Sequence, residues 1–329
     1  MHYEYVYKSN RFESTRHKKT KKGIKGIVLL IGLIILGYYL SGFALQVFRN
    51  KNVVTVTSPL AEPVSAGIDT IKEVINPPGL EDVVRSSLAN SPGIYGIVIK
   101  NLKTGETYTA NKDRKFKSAS LYKLWVLATS YQLLEKGKLD PDKILSSDVV
   151  DLNKRFDIAT ESAELTDGTV TARVQDALRQ MVVISSNYAA LLLVTEIKLS
   201  NVSKFLVSYE FSNSKTGSPP TTTASDIADF YEKLYAGKLA DAASTKEMMD
   251  LLKDQQLNDR LPKYLPDGVL VAHKTGELDA FKHDAGIVFT PNGDYIVVVL
   301  SETNNPQAAA EKQALLSKAV YEYFRTHTE

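Results

Sequence analysis

The 329-residue chain contains no cysteine. That absence excludes disulfides, thiolate metal sites and a lipid-carrying cysteine behind an export signal. Histidine is scarce, with five residues, and no His-Glu-x-x-His pattern or cysteine cluster offers a metal site. There is no Gly-x-Ser-x-Gly elbow of the α/β-hydrolase kind, and no glycine loop able to cradle a phosphate. No cofactor or metal is therefore expected. An apolar fraction of 43% with 24% charged residues places most of the chain among globular proteins.

Charge is unevenly spread. Residues 1–25 hold eight Lys/Arg against Glu4 and Glu13, which leaves 32 basic against 36 acidic residues in the remainder. A basic block of this kind suits nucleic acid, but the apolar run directly behind it argues against that partner. Residues 26–48 carry no charge, and at about 1.5 Å per residue they reach about 34 Å, enough for a bilayer core. A basic flank before such a run predicts a cytoplasmic tail over 1–25, a single transmembrane helix over 26–48 and an extracytoplasmic remainder. Gly42 and Ala44 are small enough to precede a signal-peptidase cut, but the long basic region and long apolar run favour an uncleaved anchor. Residues 49–78, with Ser58-Pro59, Glu62-Pro63 and Pro77-Pro78, read as a tether.

From Gly79 the pattern turns globular, so 79–329 is expected to be the folded domain. Leu80–Leu88 predicts an amphipathic helix. Gly93–Lys100 and Glu106–Ala110 read as strands around a Thr104-Gly105 turn. A helix is expected from Ser120 to Lys136, then a mostly helical block with helices near 173–183, 188–198, 201–206, 224–236 and 245–252. Strands return at 268–274, 284–289 and 295–301, with Pro291-Asn292-Gly293 as a hairpin turn, and 307–324 closes the chain as a helix. Sheet segments at both ends can pair and leave the helical block as an insertion, with a cleft between the two.

Three short motifs carry chemistry. Ser120 and Lys123 lie three apart at a helix start and share a face. A serine hydroxyl becomes a nucleophile when a neighbouring base takes its proton, and a buried lysine can be that base. The amide of Ser120 then points toward developing negative charge. Ser185 and Asn187 sit at a corner between two apolar helical runs, where helix capping is the ordinary role for these residue types. There Ser185 can relay a proton and Asn187 can hold a substrate amide. Lys274-Thr275-Gly276 ends an apolar strand. Its lysine and hydroxyl suit a substrate carboxylate, its glycine allows close approach, and the next backbone N–H, at Glu277, is a candidate second oxyanion donor. The same letters recur as Ser212-Asn213-Ser214-Lys215 and Lys215-Thr216-Gly217. These repeats share one lysine and lie among Ser, Gly and Pro, where neither helix nor strand is expected.

In this order the three motifs resemble the signatures of the penicillin-recognising serine enzymes, and their spacing is most similar to class A β-lactamases. FKSASLYKL around Ser120, MVVISSNYAALLL around Ser185 and His283–Val288 after Lys274 extend the resemblance over about 79–326. It implies an α+β fold: an antiparallel five-stranded sheet flanked by helices, plus an all-helical subdomain. It also implies Ser120 as acyl-enzyme nucleophile, Lys123 as proton acceptor, Ser185 as relay, Asn187 as amide contact, and Lys274, Thr275 and Gly276 as the carboxylate site. The expected activity is hydrolysis of β-lactam bonds by a monomeric domain on the outer side of a cell membrane. A D-Ala-D-Ala peptidase acting on cell-wall peptide is the alternative, and a retired wall-binding or sensor domain the non-enzymatic one. Two departures stand out. Ser186 replaces the usual middle Asp of the second signature, and no Glu-x-x-Leu-Asn follows Asn187, the pattern in which class A enzymes carry a water-activating Glu. Only Glu210 offers a carboxylate in the shortened segment Glu210–Pro220.

Overall fold

The structure, a computed structural model, describes residues 78–327. The basic tail, the apolar run and all but the last residue of the tether lie outside the described residues. Among the described residues no helix is long and apolar enough to cross a membrane.

The chain opens with helix α1 (Leu80–Ser87), whose buried Leu80 and Val84 lie one turn apart. Strand β1 (Ile94–Asn101) and β2 (Thr107–Ala110) form a hairpin. A two-residue strand β3 (Phe116–Lys117) leads into a 3-10 turn, Ala119–Tyr122, and then α2 (Lys123–Glu135). A second hairpin pairs β4 (Ile144–Asp148) with β5 (Thr169–Arg173) and encloses α3 (Val149–Arg155). The helical block continues with α4 (Val174–Val183), α5 (Asn187–Ile197) and α6 (Leu199–Ser208). Strand β6 (Thr221–Thr222) returns to pair with β3. Helices α7 (Ala224–Tyr235) and α8 (Ala242–Lys253) precede β7 (Val271–Leu278), β8 (Phe281–Val288), β9 (Tyr295–Glu302) and α9 (Pro306–Thr326).

The main sheet has five antiparallel strands in the order β2-β1-β9-β8-β7. Alternation along each strand divides its side chains between two faces. Ile97, Ile99, Val297 and Val299 join Leu80, Val84, Leu316, Val320 and Phe324 in a core beneath α1 and α9. Val98, Ile296, Val298 and Leu300 face the opposite way and join the core of the helical block. Both faces are covered, which accounts for the near-continuous apolar runs of β1 and β9. Gly286 is required where β8 crosses β7: a Cβ there would meet the Ala272 carbonyl oxygen at 2.5 Å.

The helices at the centre of the block are apolar on every side. In α2 every residue from Lys123 to Tyr131 is buried, and α5 buries Tyr188 to Val194 without a break. Such helices belong to an interior. Their first residues meet, Lys123 of α2 donating to Asn187 of α5.

The expected elements appear with ends moved by a few residues, except at Ser120. Ser120 lies in the 3-10 turn before α2 rather than at the first residue of an α-helix. The preceding Ala119 has φ +45°, a left-handed conformation that breaks the α-helical path. The turn's three-residue repeat eclipses positions i and i+3, so Ser120 and Lys123 still share a face. The β4–β5 hairpin, α3 and the β3–β6 pair are additional to the elements expected from the sequence.

Candidate active site

Four segments meet where the edge strand β7 faces the helical block. The first holds Ser120. Phe116 and Lys117 pair with Thr222 and Thr221, and the Ser118 N–H donates to the Pro220 carbonyl at 2.8 Å. From the sheet side, His283 Nε2 bonds the Lys117 carbonyl at 2.9 Å, while Ser301 N–H donates to its Nδ1 at 3.1 Å. Those partners require a proton on Nε2 and none on Nδ1. Burial lowers the His283 pKa to about 4, which keeps the ring neutral. His283 thus acts as a fixed strut behind the nucleophile turn, in keeping with a packing role. Ser120 itself is half-buried, open enough to meet a substrate.

Lys123 is fully buried, and its ammonium reaches three acceptors on the second segment: the Ser185 carbonyl at 2.5 Å, Ser185 Oγ at 3.2 Å and Asn187 Oδ1 at 2.8 Å. Burial lowers its pKa from 10.5 to about 7, with the Glu164 carboxylate pulling the other way. Its place at the first residue of α2, against the positive end of the helix dipole, favours the neutral amine further.

The corner between α4 and α5 is built to present both partners. Ser185 takes φ +58°, a left-handed conformation uncommon outside glycine and asparagine. Ser186 performs the capping, its hydroxyl accepting from Ala189 N–H at 3.3 Å. The cap therefore falls to the middle residue of the motif, and the side chains of Ser185 and Asn187 are left to face Lys123.

Lys274, also fully buried, donates to Ser185 Oγ at 2.9 Å and to the Thr275 carbonyl at 3.0 Å. Burial and the Lys123 charge push its pKa well below the usual value, opposed by Asp284. One hydroxyl, Ser185 Oγ, is thus touched by both lysines. Gly276 packs where a Cβ would come within 3.2 Å of the Ser118 carbonyl oxygen and 3.3 Å of Ala119 Cβ, so β7 lies directly against the nucleophile turn. The Glu277 side chain is engaged by Arg260 at 2.9 Å and by Lys282. What Glu277 offers the cleft is its backbone, on a strand at the edge of the sheet where outward N–H groups lack a ladder partner.

The repeated letters fall elsewhere. Lys215 is exposed and forms a single bridge with Thr221, and Ser214 Oγ binds Asp226 at 2.8 Å. Glu210 lines a separate cavity with Ser203, Phe211 and Thr216.

One carboxylate that the sequence motifs do not include does reach the site. Glu164 Oε1 accepts from Asn187 Nδ2 at 2.5 Å. It lies in the polar stretch 156–168 beside Glu161 and Asp167, and no local pattern distinguishes it from them. Among the described residues no cluster of His, Cys, Asp or Glu is arranged to hold a metal.

A model of the Beta-lactamase enzyme family matches residues 79–324. The chain belongs to that family. None of the curated proteins matches it. Among solved structures, this beta-lactamase-family chain is similar to a beta-lactamase from Sphaerobacter thermophilus, at 23% identity and a TM-score of 0.66, over 76% of this chain and 98% of the other. PBP-A is similar at 20% identity and TM-score 0.66, over 75% and 96%. A class A beta-lactamase representative from Bacteroides cellulosilyticus is similar at 18% identity and TM-score 0.64, over 75% and 98%. At these identities the structures establish the shared fold, and the family match together with that fold makes this a penicillin-recognising serine hydrolase of the beta-lactamase and penicillin-binding superfamily.

Proposed function

We propose that the domain hydrolyses β-lactam bonds through an acyl-Ser120 intermediate. The observation that carries this reading is the hydroxyl of Ser185 held between two buried lysines, at 3.2 Å from Lys123 and 2.9 Å from Lys274. A lysine with a pKa near 7 is half neutral at neutral pH and suits a general base. Ser120 gives its proton to neutral Lys123 and attacks the lactam carbonyl. The N–H groups of Ser120 and Glu277 hold the oxyanion. Ser185 passes the proton to the departing nitrogen, Asn187 Nδ2 binds the acyl side-chain amide, and Lys274 and Thr275 take the substrate carboxylate against Gly276.

A penicillin-binding D-Ala-D-Ala peptidase uses the same acylating groups and differs in how fast the ester is released. The position of Glu210 outside the cleft favours this second reading. A variant of PBP-A was solved as an acyl-enzyme complex with penicillin G, so a fold of this kind can hold such an ester. The charge pattern of residues 1–48 supports a single-pass anchor that places the domain outside a cell membrane.

The test is to expose the full-length protein to a fluorescent penicillin and to a chromogenic cephalosporin. Covalent labelling that disappears in Ser120→Ala is the expected result. Rapid colour change identifies a lactamase, and persistent label without turnover identifies a penicillin-binding protein. Absence of both signals would sink both readings.

A further inference from the structure

An acyl-serine ester at this site is released only if water attacks it, and water needs a base. Asp284, whose charge acts on Lys274, is fully buried and spent: Oδ1 bonds His273 Nδ1 at 2.8 Å and Oδ2 accepts Leu261 N–H at 3.0 Å. Glu277 is engaged by Arg260 and Lys282. Glu164 is placed differently. It bonds Asn187, whose Oδ1 bonds Lys123, so the carboxylate is one amide away from the acylating amine. It also lines a cavity of about 190 Å³ with Tyr122, Ser162, Asn187 and Tyr188. Tyr122, from the turn that carries Ser120, lines that cavity, whose walls mix these polar groups with Ile158 and Leu191, and it is large enough for several waters at about 30 Å³ each.

The loop is fixed at this point. Leu165 N–H donates to the Tyr188 hydroxyl at 3.1 Å, and that hydroxyl faces the Leu165 carbonyl at 2.8 Å and Asn153 Oδ1 at 2.9 Å. Asn153 Nδ2 donates to the same carbonyl at 2.8 Å. Side chains of α3 and α5 thus hold the residue next to Glu164, which is how a loop carboxylate is kept in one place.

We propose that Glu164 is the catalytic base of deacylation, taking a proton from a water in this cavity as that water attacks the acyl-Ser120 carbonyl; the inference rests on the acylation reading above. The water oxygen forms the new C–O bond and the ester bond to Ser120 Oγ breaks. The departing Oγ takes a proton from the Lys123 ammonium. Solvent supplies that proton to Lys123 and receives the one left on Glu164, so one water is consumed and a free carboxylic acid departs. The base comes from the loop before the second motif, whereas the family resemblance places it on a loop after that motif.

The test is Glu164→Gln in the full-length protein, compared with wild type and Ser120→Ala. Glutamine keeps an acceptor for Asn187 Nδ2 and removes the basicity, so it separates catalysis from positioning. The expected result is fluorescent-penicillin labelling at close to the wild-type rate, a label that persists, and chromogenic turnover reduced by about a hundredfold or more. A variant that turns over like wild type overturns the assignment. So does one that loses labelling and turnover together, which would make Glu164 a support for Asn187, and so does a wild-type protein that labels without turnover. If wild type does not label, the acylation reading itself fails, a result distinct from each of these.

Discussion

The chain spells Lys-Thr-Gly three times, once in the β1–β2 turn at 103–105, and Ser-x-x-Lys twice, and the copies have different fates. At 120–123 and 274–276 the lysines are fully buried and both meet Ser185. At 212–217 the shared lysine is exposed on a short bridge, and Ser214 bonds Asp226. The letters are equal and the surroundings are not. A lysine in water remains a cation, whereas burial against another cation favours the free amine. The motif is thus chemical only where the fold removes water from it.

The largest effect that can break this comparison is loss of the nucleophile. Ser120→Ala is expected to reduce penicillin labelling by about a thousandfold or more, while Ser212→Ala labels like wild type; equal losses in a labelling time course would erase the distinction. Next, Lys123→Met should slow acylation by about a hundredfold or more, whereas Lys215→Met should leave it unchanged.

Acidity sharpens the same point. In the proposed mechanism, with a Lys123 pKa of about 7, the neutral amine is the active form. Its fraction falls as pH drops through that value, so acylation at pH 6 should be about fivefold slower than at pH 7. Stopped-flow labelling that stays flat from pH 8 to pH 6 would remove Lys123 as the base. Stability depends on the same lowered pKa. The folded state binds this proton less readily than the unfolded chain, so the burial cost is fully present below about pH 7 and is relieved as pH rises toward the unfolded value.

Two smaller effects test the frame that creates the difference. Gly286→Ala forces a methyl against the Ala272 carbonyl and is expected to cost about 1–3 kcal/mol in denaturant unfolding. Ser186→Ala removes the α5 cap and should cost about 1 kcal/mol, while acylation falls only as far as the corner loosens. A Ser186→Ala variant with unchanged stability would show that the cap is dispensable.

Most of this was legible in the chain. The apolar periodicity of α1 and α9, the hairpin turn between β8 and β9, and the split of sheet segments to the two ends all arise from patterns of burial. The three motifs announced themselves because each sits at the end of an apolar element. The conformation of Ser120 did not, since a 3-10 turn and the first turn of an α-helix share their spacing in sequence. The β4–β5 hairpin carries short, polar, weakly alternating strands whose exposed faces leave little hydrophobic signal. Glu164 was illegible for another reason. Its meaning comes from the path of a polar loop clamped at Leu165 by Tyr188 and Asn153, partners 23 and 12 residues away in sequence.

The pairing of β1 with β9 sets Ile94 against Glu302, and this has a consequence for how the protein is born. Ser120 leaves the ribosome about 150 to 180 residues before Lys274 and the strand that completes the sheet, so the long-range pairing must wait for that stretch to be made. A nascent chain therefore carries a serine without its machinery. The proposed reactive centre comes into being only once β9 has been made, and its own topology delays reactivity until then.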